Sequence, residues 1–370
     1  MRSFSQFVPE HIRRLAQSRP RTLEASDRAN RQIRLNLNEN PFGPSPLALA
    51  AIQAALADLH RYPEADPTWL ERDIANFHTV APEEVIVTAG ATELLGIMAR
   101  ALLAPGRNAI TSARSFLVYR LATEASGGKL IEVETREHGY DLEAITQALD
   151  ENTRMIFIAN PNNPTGSLVP APALTAFLDD LPHHVLLVID EAYFDYADYF
   201  AQKRGVEFSH SLDYVRQKPN VIVLRTFSKA HGLAGLRVGY GIGPELLISL
   251  LKPLRDLFSV SSLALIAASA ALFDRKHIVR AVENNAEQAE VLATGMRQLG
   301  LEVPPTWANF LYCELGQDAA LFADRLGHQG VVVQPLGASG AATAIRVSIG
   351  TEDENARFLE VLAATGIQNS

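Results

Sequence analysis

The chain has 370 residues, of which 47% are apolar and 20% charged, a balance typical of folded proteins rather than disordered ones. Its length exceeds one ordinary hydrophobic core, so two domains are expected. A net charge of −9 without a basic cluster argues against a nucleic-acid-binding protein, and the single cysteine, Cys313, excludes an intramolecular disulfide framework. No apolar run reaches the ~18 residues of a membrane span, so we expect a cytoplasmic protein without membrane contact.

Helices and short apolar strands alternate along the chain from about residue 45. The Ala- and Leu-rich segment 46–59 predicts a helix, and so does the amphipathic segment 93–103. The predicted strands are 84–88, 108–111, 130–133, 153–159, 185–189 and 221–224. Short apolar strands separated by helices indicate an α/β fold, with a mostly parallel sheet covered by helices on both faces.

The pattern changes after about residue 260. Residues 262–299 predict a long helical region, and 309–313 and 343–349 predict strands. This alternation indicates a smaller α+β domain that the N-terminal segment completes. The expected parts of the chain are an N-terminal arm with part of the small domain, a large domain, and the rest of the small domain, at residues 1–45, 46–260 and 261–370.

The most informative stretch follows the last strand of the predicted large sheet and has the sequence TFSKAHGLAGLRVGY, at residues 226–240. It places Lys229 among small and hydroxyl-bearing residues, where a partly desolvated amine has a lowered pKa and can form a Schiff base with a carbonyl cofactor. Arg237 and the nearby hydroxyl groups suit a phosphate, because arginine presents a planar fork of donors. We therefore predict that Lys229 holds pyridoxal phosphate (PLP). The alternative is a Gly-rich loop with a solvated lysine.

Two further motifs follow strands and offer groups for the ring of this cofactor. Asp190, in the motif VIDEAY, could pair with a protonated pyridine nitrogen, and Tyr193 could reach the phenolic oxygen. The turn 160–166 (NPNNPTG) offers amide donors to the same oxygen at Asn162 and Asn163. Either motif could instead be structural, with Asp190 as a helix N-cap and the turn as an ordinary Asn/Pro turn.

Two other motifs could bind anions. Residues 88–92 (TAGAT) join a strand to a helix, and N–H groups at a helix N-terminus bind anions where Gly permits close approach; a plain helix start is the alternative. Arg346 lies in an apolar strand, where a buried arginine needs an anionic partner, either a substrate carboxylate or a structural ion pair. Because ligands bind at the carboxyl ends of strands in such sheets, we interpret these motifs as one site.

With its motifs in this order, the chain resembles the fold-type-I, PLP-dependent aminotransferases of class I/II, most closely the histidinol-phosphate aminotransferase group. The resemblance runs from LNLNENP at residues 35–41 to RVSIGTE at residues 346–352, and the pattern TFSKAxGLAGLRxG is highly specific for the family. It implies a large domain with a mostly parallel, seven-stranded sheet between helices, plus a smaller α+β domain. The implied activity is ping-pong transfer of an amino group from an L-amino donor to a 2-oxo acid, with 2-oxoglutarate as the expected acceptor.

The resemblance also implies a role for individual residues. Lys229 would bind PLP covalently and move protons, Asp190 would pair with the pyridine nitrogen, and Tyr193 and Asn163 would hold the phenolic oxygen. The residues implied to bind the cofactor phosphate are Ala91, Thr92, Ser228 and Arg237. Phe116 matches an aromatic residue that stacks on the cofactor, where the family usually has Tyr.

Substrate and partner contacts are implied in the same way. Tyr62 matches the tyrosine that reaches the phosphate of the partner subunit's cofactor, which implies a homodimer with shared sites. Arg346 would bind the α-carboxylate of amino and oxo acids, and Asn38 matches a residue at the active-site entrance. One position departs from the family: Gln334 stands where an arginine usually binds the distal group of the substrate. A neutral amide cannot offer a charged fork to histidinol phosphate, and such a loss typically costs ~1.5–3 kcal/mol.

Several alternatives stay open on the sequence. Gln334 would suit an uncharged side chain, as in an aromatic amino acid aminotransferase, or another cation such as an N-terminal arginine could compensate for it. A related phosphothreonine decarboxylase would use the same lysine but release carbon dioxide. An effector-sensing domain of a transcription regulator would need a DNA-binding module, and we find no helix-turn-helix pattern in the fewer than fifty residues before the family region. No metal site is predicted.

Overall fold

The computed structural model describes residues 7–18 and 32–366. Part of the predicted N-terminal arm lies outside these residues. That part includes several of the arginines that could compensate for the neutral Gln334. The described helices are α1 (Glu10–Ser18), α2 (Pro46–Ala55), α3 (Thr68–His78), α4 (Ala91–Leu102), α5 (Leu117–Ala125), α6 (Leu142–Gln147), α7 (Ala171–Asp179), α8 (Phe194–Arg204), α9 (Ser211–Gln217), α10 (Glu245–Leu251), α11 (Ser262–Leu272), α12 (Arg275–Gln298), α13 (Ala319–His328) and α14 (Glu352–Thr365). The strands are β1 (Ile33–Leu35), β2 (Val85–Thr88), β3 (Asn108–Ser112), β4 (Lys129–Val133), β5 (Thr153–Ala159), β6 (Leu186–Asp190), β7 (Val221–Thr226), β8 (Gly239–Ile242), β9 (Phe310–Glu314), β10 (Val331–Leu336) and β11 (Ala341–Ser348).

The larger sheet has seven strands in the order β2-β8-β7-β6-β5-β3-β4. Only β8 runs antiparallel to its neighbours, so the expected mostly parallel α/β sheet is confirmed. Strands β5, β6 and β7 are almost wholly buried, with apolar cores on both faces of the sheet. Their nearly continuous apolar sequence follows from this position, because a strand covered on both faces has no side chain that points to water.

The smaller sheet has four strands in the order β1-β10-β11-β9. β1 comes from the N-terminal segment and pairs in parallel with β10, while β11 runs antiparallel to β10 and β9. A separate apolar core lies between this sheet and helices α12, α13 and α14. The N-terminal segment and the C-terminal region therefore share one sheet.

The long helical region predicted at 262–299 is two helices in the structure. α11 ends at Leu272, and α12 begins after Asp274, whose carboxylate accepts from His277 N–H as an N-cap. Ala264 and Leu265 of α11 lie in the core of the larger sheet, and α12 packs on the smaller one. The predicted domain boundary near residue 260 stays a prediction. Among the described residues, no helix has both the length and the apolar character needed to cross a membrane.

Candidate active site

All predicted site residues except Tyr62, Asn162 and Gln334 line a single cavity of about 430 Å³. The cavity opens at the carboxyl ends of β5, β6 and β7, whose last residues, Ala159, Asp190 and Thr226, contribute to its wall. Arg346 reaches it from β11 of the smaller sheet. The fold thus brings together motifs that are separated by more than one hundred residues in the sequence.

Lys229 projects into the cavity from the turn that follows β7. Phe227 is fully buried and fixes the turn, and Gly232 closes it, with N–H donating to the Lys229 carbonyl oxygen over 2.9 Å. Gly232 has φ +72, and a Cβ there would lie 2.0 Å from the Gly43 carbonyl oxygen, so only glycine fits. The Lys229 amine donates to the Leu37 carbonyl oxygen over 2.9 Å. Desolvation and the positive charge of Arg346 lower the pKa of Lys229 to about 7.

Asp190 lies at the end of β6, 5% exposed. Its Oδ2 accepts from the Tyr119 hydroxyl over 2.8 Å and its Oδ1 accepts from Ala192 N–H over 3.1 Å. Burial raises the pKa of Asp190 to about 6, opposed by these two hydrogen bonds. The N-cap of α8 is Tyr193, so Asp190 is not the helix cap that the sequence left open.

One wall of the cavity is polar and contains Asn38, Asn163 and Tyr193. Asn38 Nδ2 donates to the Tyr193 hydroxyl over 2.9 Å, and Asn163 Oδ1 accepts from Arg346 Nη1. These bonds leave the Tyr193 proton and the Asn163 Nδ2 group as donors toward the cavity. Asn162, also offered as a donor to the phenolic oxygen, instead stabilises the turn: its Nδ2 donates to the Arg114 carbonyl oxygen and to Thr165 Oγ1.

The N-terminus of α4 and Arg237 form the polar end of the cavity. Ala91 and Thr92 are the first residues of α4, and Gly90 before them has φ +81. A Cβ at Gly90 would lie 2.5 Å from Arg237 Nη2, so glycine lets the guanidinium lie against the helix start. Arg237 Nη1 donates to Ser228 Oγ over 3.2 Å. Helix N–H groups, a guanidinium and a hydroxyl at one point are suited to a phosphate.

Arg346 is 9% exposed and forms the opposite end of the cavity. Its Nη1 donates to Asn163 and its Nη2 donates to the Asn36 carbonyl oxygen over 2.8 Å, both of them neutral acceptors. Its Nε is buried and has no hydrogen-bond partner in the described part of the chain. A buried guanidinium that faces a cavity with an unsatisfied donor is suited to an anionic ligand.

Two predicted residues besides Asn162 lie outside the cavity. Tyr62 is 84% exposed, and its ring packs against Phe258 at 5.0 Å between centroids. Gln334 lies on β10, opposite Arg346 on β11, but its Nε2 donates to the Pro335 carbonyl oxygen over 2.9 Å.

The structure also adds residues to which the sequence analysis gave no role. Tyr119, Glu39 and Pro161 line the cavity, and the carbonyl oxygens of Leu37 and Asn36 accept hydrogen bonds from Lys229 and Arg346. Tyr119 follows Phe116 by three residues at the start of α5, a spacing that places both rings on one helix face and could have indicated it.

The donor set fits pyridoxal phosphate. An amine of low pKa, a buried carboxylate and a phosphate cradle surround one cavity, and the glycine at position 90 keeps the cradle open. Phe116 lines the same cavity and can cover a ring face.

Comparison with known proteins gives a consistent result. The family model described as aminotransferase class I and II matches residues 30–362. Histidinol-phosphate aminotransferase 2 of Pseudomonas fluorescens strain Pf0-1 is 44% identical over 330 residues, which cover 89% of this chain and 88% of that protein. Histidinol-phosphate aminotransferase 2 of Ralstonia nicotianae is 40% identical over 96% of both chains. The crystal structure of histidinol-phosphate aminotransferase from Sinorhizobium meliloti in complex with pyridoxal 5'-phosphate superposes with a TM-score of 0.88, 30% identity and 98% coverage of both chains.

Proposed function

This chain belongs to the class I and II aminotransferases, PLP-dependent transaminases, and we propose that it moves the amino group of histidinol phosphate to 2-oxoglutarate. The observation that carries this proposal is the cavity itself, which has a phosphate cradle at one end, Lys229 and Asp190 in its walls, and the buried Arg346 at the other end. The names of the relatives that cover nearly the whole chain support histidinol phosphate as the donor.

Each part of the cavity has a role toward the cofactor. PLP, when bound, supplies a carbonyl group for amines and a ring that accepts electrons. The α4 N-terminus at Ala91 and Thr92, with Ser228 and Arg237, binds its phosphate. Asp190 binds the pyridine nitrogen, because a buried carboxylate at this point favours a protonated ring.

The other contacts orient the ring. Tyr193 and Asn163 direct their remaining donors to the phenolic oxygen, since their acceptor atoms already bind Asn38 and Arg346. Phe116 covers one face of the ring. Together with the residues that bind the phosphate and the pyridine nitrogen, these contacts fix the cofactor in one orientation, which is the requirement for efficient proton movement at a single carbon.

Lys229 carries the proton in this reaction. Its pKa, lowered to about 7, makes a substantial fraction of the amine neutral near neutral pH, so it can both accept and return a proton. The Leu37 carbonyl oxygen accepts from Nζ and orients the amine when it is not bound to the cofactor. With the cofactor bound, Nζ of Lys229 would accept the proton that leaves the α-carbon of the donor and would later release it.

Arg346 binds the anionic group of both substrates. In histidinol phosphate a CH2–O–phosphate group takes the place of the α-carboxylate of an amino acid, so this phosphate and the α-carboxylate of glutamate use the same guanidinium. The unsatisfied Nε and the neutral partners of Nη1 and Nη2 leave the charge of Arg346 for the ligand.

A second cation, Arg114, is linked to Arg346 through Tyr312, although it does not itself line the cavity. Tyr312 lies opposite Arg346 on β9, and its hydroxyl accepts from Arg114 Nη1 over 3.0 Å. Directly opposite residues of antiparallel strands share a sheet face, so Tyr312 connects the two arginines. Glu314 lies 3.9 Å from Arg114 and partly neutralises it. Arg114 supports the recognition of a doubly charged phosphate in spite of the neutral Gln334.

The active assembly is a homodimer. Tyr62 is exposed and does not line the cavity of its own subunit, and its ring contacts Phe258. Leu59 and Leu257, close to these two residues in the sequence, are also more than half exposed. Exposed apolar surface of this kind supports contact with a second copy, where Tyr62 would reach the partner's cofactor. Sedimentation of the holoprotein at low concentration tests this, and a monomer that retains PLP fully would contradict it.

The single, buried Cys313 supports a location in the reducing cytoplasm.

Product analysis tests the reaction. The purified enzyme is incubated with 2-oxoglutarate and one of three donors, histidinol phosphate, phenylalanine or threonine phosphate, and glutamate and carbon dioxide are measured. Glutamate formed with histidinol phosphate, and lost in Lys229→Ala, supports the proposal. Glutamate formed only with phenylalanine would make the enzyme an aromatic aminotransferase, and carbon dioxide released from threonine phosphate without glutamate would make it a decarboxylase.

A further inference from the structure

Asp190 is held by a side chain that no sequence motif indicated. The Tyr119 hydroxyl donates to Asp190 Oδ2 over 2.8 Å, and among the described residues no other side chain donates a hydrogen bond to this carboxylate. Tyr119 has no exposed surface, so water cannot take its place. We propose that Tyr119 is a positioning residue that keeps Asp190 ionised and aimed at the pyridine nitrogen of the cofactor. This inference rests on the role proposed above for Asp190.

The Tyr119 ring is fixed by aromatic contacts on two sides. It stacks on Phe157 of β5, with centroids 4.7 Å apart and planes within 3°, and Phe116 packs edge-on against it at 5.7 Å and 90°. Such contacts restrict the ring beyond ordinary burial. The fixed ring therefore directs the hydroxyl toward Asp190. Because the hydroxyl cannot move, the hydrogen bond determines the orientation of the carboxylate.

The charges around Asp190 explain why this donor is needed. Burial, with a smaller contribution from the neighbouring carboxylate of Glu191, raises the pKa of Asp190 to about 6. Glu191 is paired with Arg225, which donates to it from Nε over 3.0 Å and from Nη2 over 2.9 Å. The positive charge of Lys229 lowers the pKa of Asp190 from across the cavity. Tyr193 lies near Asp190 but makes no hydrogen bond to it. The largest opposing contribution is the Tyr119 hydrogen bond.

Removal of the hydroxyl has a defined consequence. Without a donor on Oδ2, the buried carboxylate takes up a proton at higher pH, because a hydrogen bond to the charged form favours that form. A neutral carboxyl group cannot hold a protonated pyridine nitrogen. As the pH is lowered, the variant should therefore begin to lose cofactor affinity at a higher pH than the natural protein does.

The test measures the binding of pyridoxamine phosphate, which forms no covalent bond with lysine. Affinity is followed by fluorescence from about pH 5 to about pH 9, a range that spans the titration of Asp190, in a Lys229→Ala background that removes the amine. We expect Tyr119→Phe, which keeps the ring, to move the acid midpoint upward by about one pH unit and to weaken binding roughly tenfold at neutral pH. An unchanged midpoint and affinity would overturn the inference.

Two controls separate the possible causes. Tyr214→Phe removes another buried hydroxyl, one that contacts Thr175 and Ala171 and does not line the cavity, and it should leave the midpoint unchanged. Asp190→Asn should remove the part of the titration that comes from this carboxylate, whereas the phosphate of the ligand, with a second pKa of about 6, still titrates in every variant. If Asp190→Asn binds as the parent does, the proposed role of Asp190 is wrong; if only Tyr119→Phe binds as the parent does, the role of Tyr119 alone is wrong.

If Tyr119→Phe fails to fold, a substitution that should shift the acid midpoint in the opposite direction provides a second test. 3-Fluorotyrosine at position 119 has a more acidic hydroxyl, which is a stronger donor and differs by one small atom. It should lower the acid midpoint relative to the tyrosine protein. A midpoint that stays the same or rises would contradict a donor role for this hydroxyl.

Discussion

Gln334 on β10 lies directly opposite Arg346 on β11, and its amide donates to the carbonyl oxygen of Pro335 rather than to a group that lines the cavity. Directly opposite residues of antiparallel strands point to the same face of the sheet. A cation at position 334 would therefore lie beside Arg346, whereas the neutral amide leaves Arg346 and the more distant Arg114 to bind a substrate anion.

Gln334→Arg is expected to raise kcat/KM for histidinol phosphate roughly tenfold, because a charge-assisted hydrogen bond contributes more than a neutral one. Steady-state kinetics with the two proteins measure this effect. Gln329→Arg adds the same charge at an exposed position after α13 and should change little. An equal gain in both variants would mean that net charge, and not position 334, is responsible.

Arg114→Gln is expected to raise KM for histidinol phosphate by roughly tenfold and to affect glutamate less, since a phosphate carries more charge than a carboxylate. Initial rates with each donor give the comparison. Arg120→Gln on α5 is the matched control, because Arg120 is similarly exposed and pairs with Glu132 on the surface. A loss that is the same for both donors would argue against phosphate recognition by Arg114.

Covalent capture of PLP by the apoprotein is expected to become faster as pH rises through about 7, the pKa to which desolvation and then Arg346 lower Lys229. The sign follows because only the neutral amine attacks a carbonyl, and a lowered pKa makes that form available near neutral pH. Rapid mixing with absorbance detection gives the rate at each pH. Arg346→Gln should shift the midpoint upward, and a midpoint near that of a solvated lysine in the natural protein would refute a desolvated amine.

Gly90→Ala is expected to weaken PLP binding by at least roughly tenfold, because its Cβ would displace Arg237 Nη2 from the phosphate cradle. Gly106→Ala is a matched control, since Gly106 has φ +88 and open space around its Cβ position. Both substitutions strain a left-handed residue and should lower thermal stability, by roughly 1 kcal/mol each. Equal PLP affinity in the two variants would show that the cradle tolerates the methyl group.

The sequence was sufficient to predict the parallel sheet and most of the cavity. The apolar segments 153–159 and 221–224 lie in buried strands β5 and β7, and the motifs after them meet because parallel strands end at one edge. The membership of the chain in the PLP-dependent aminotransferases is likewise confirmed. Signals of this kind are local: each consists of an apolar run and the polar residues directly after it.

Features that depend on contacts between distant segments were not predicted. β8 contains Gly239 and Gly241, which lack strand propensity but are required because Cβ atoms there would collide with Ala91 N and Leu94. The break between α11 and α12 at Phe273 and Asp274 was hidden by helix-forming residues on both sides. The hydrogen bond between Tyr119 and Asp190 joins residues 71 positions apart, which periodicity cannot reveal.

A single-turnover experiment tests the central claim most directly. PLP-loaded protein is mixed with histidinol phosphate or with phenylalanine in the absence of any oxo acid, and the absorbance of the bound cofactor is followed with time. The proposed function predicts fast and complete conversion to the pyridoxamine form with histidinol phosphate, and conversion at least roughly tenfold slower with phenylalanine, which lacks a phosphate for Arg346 and Arg114. Faster conversion with phenylalanine than with histidinol phosphate would contradict the proposal and favour an aromatic donor, which the neutral Gln334 would suit.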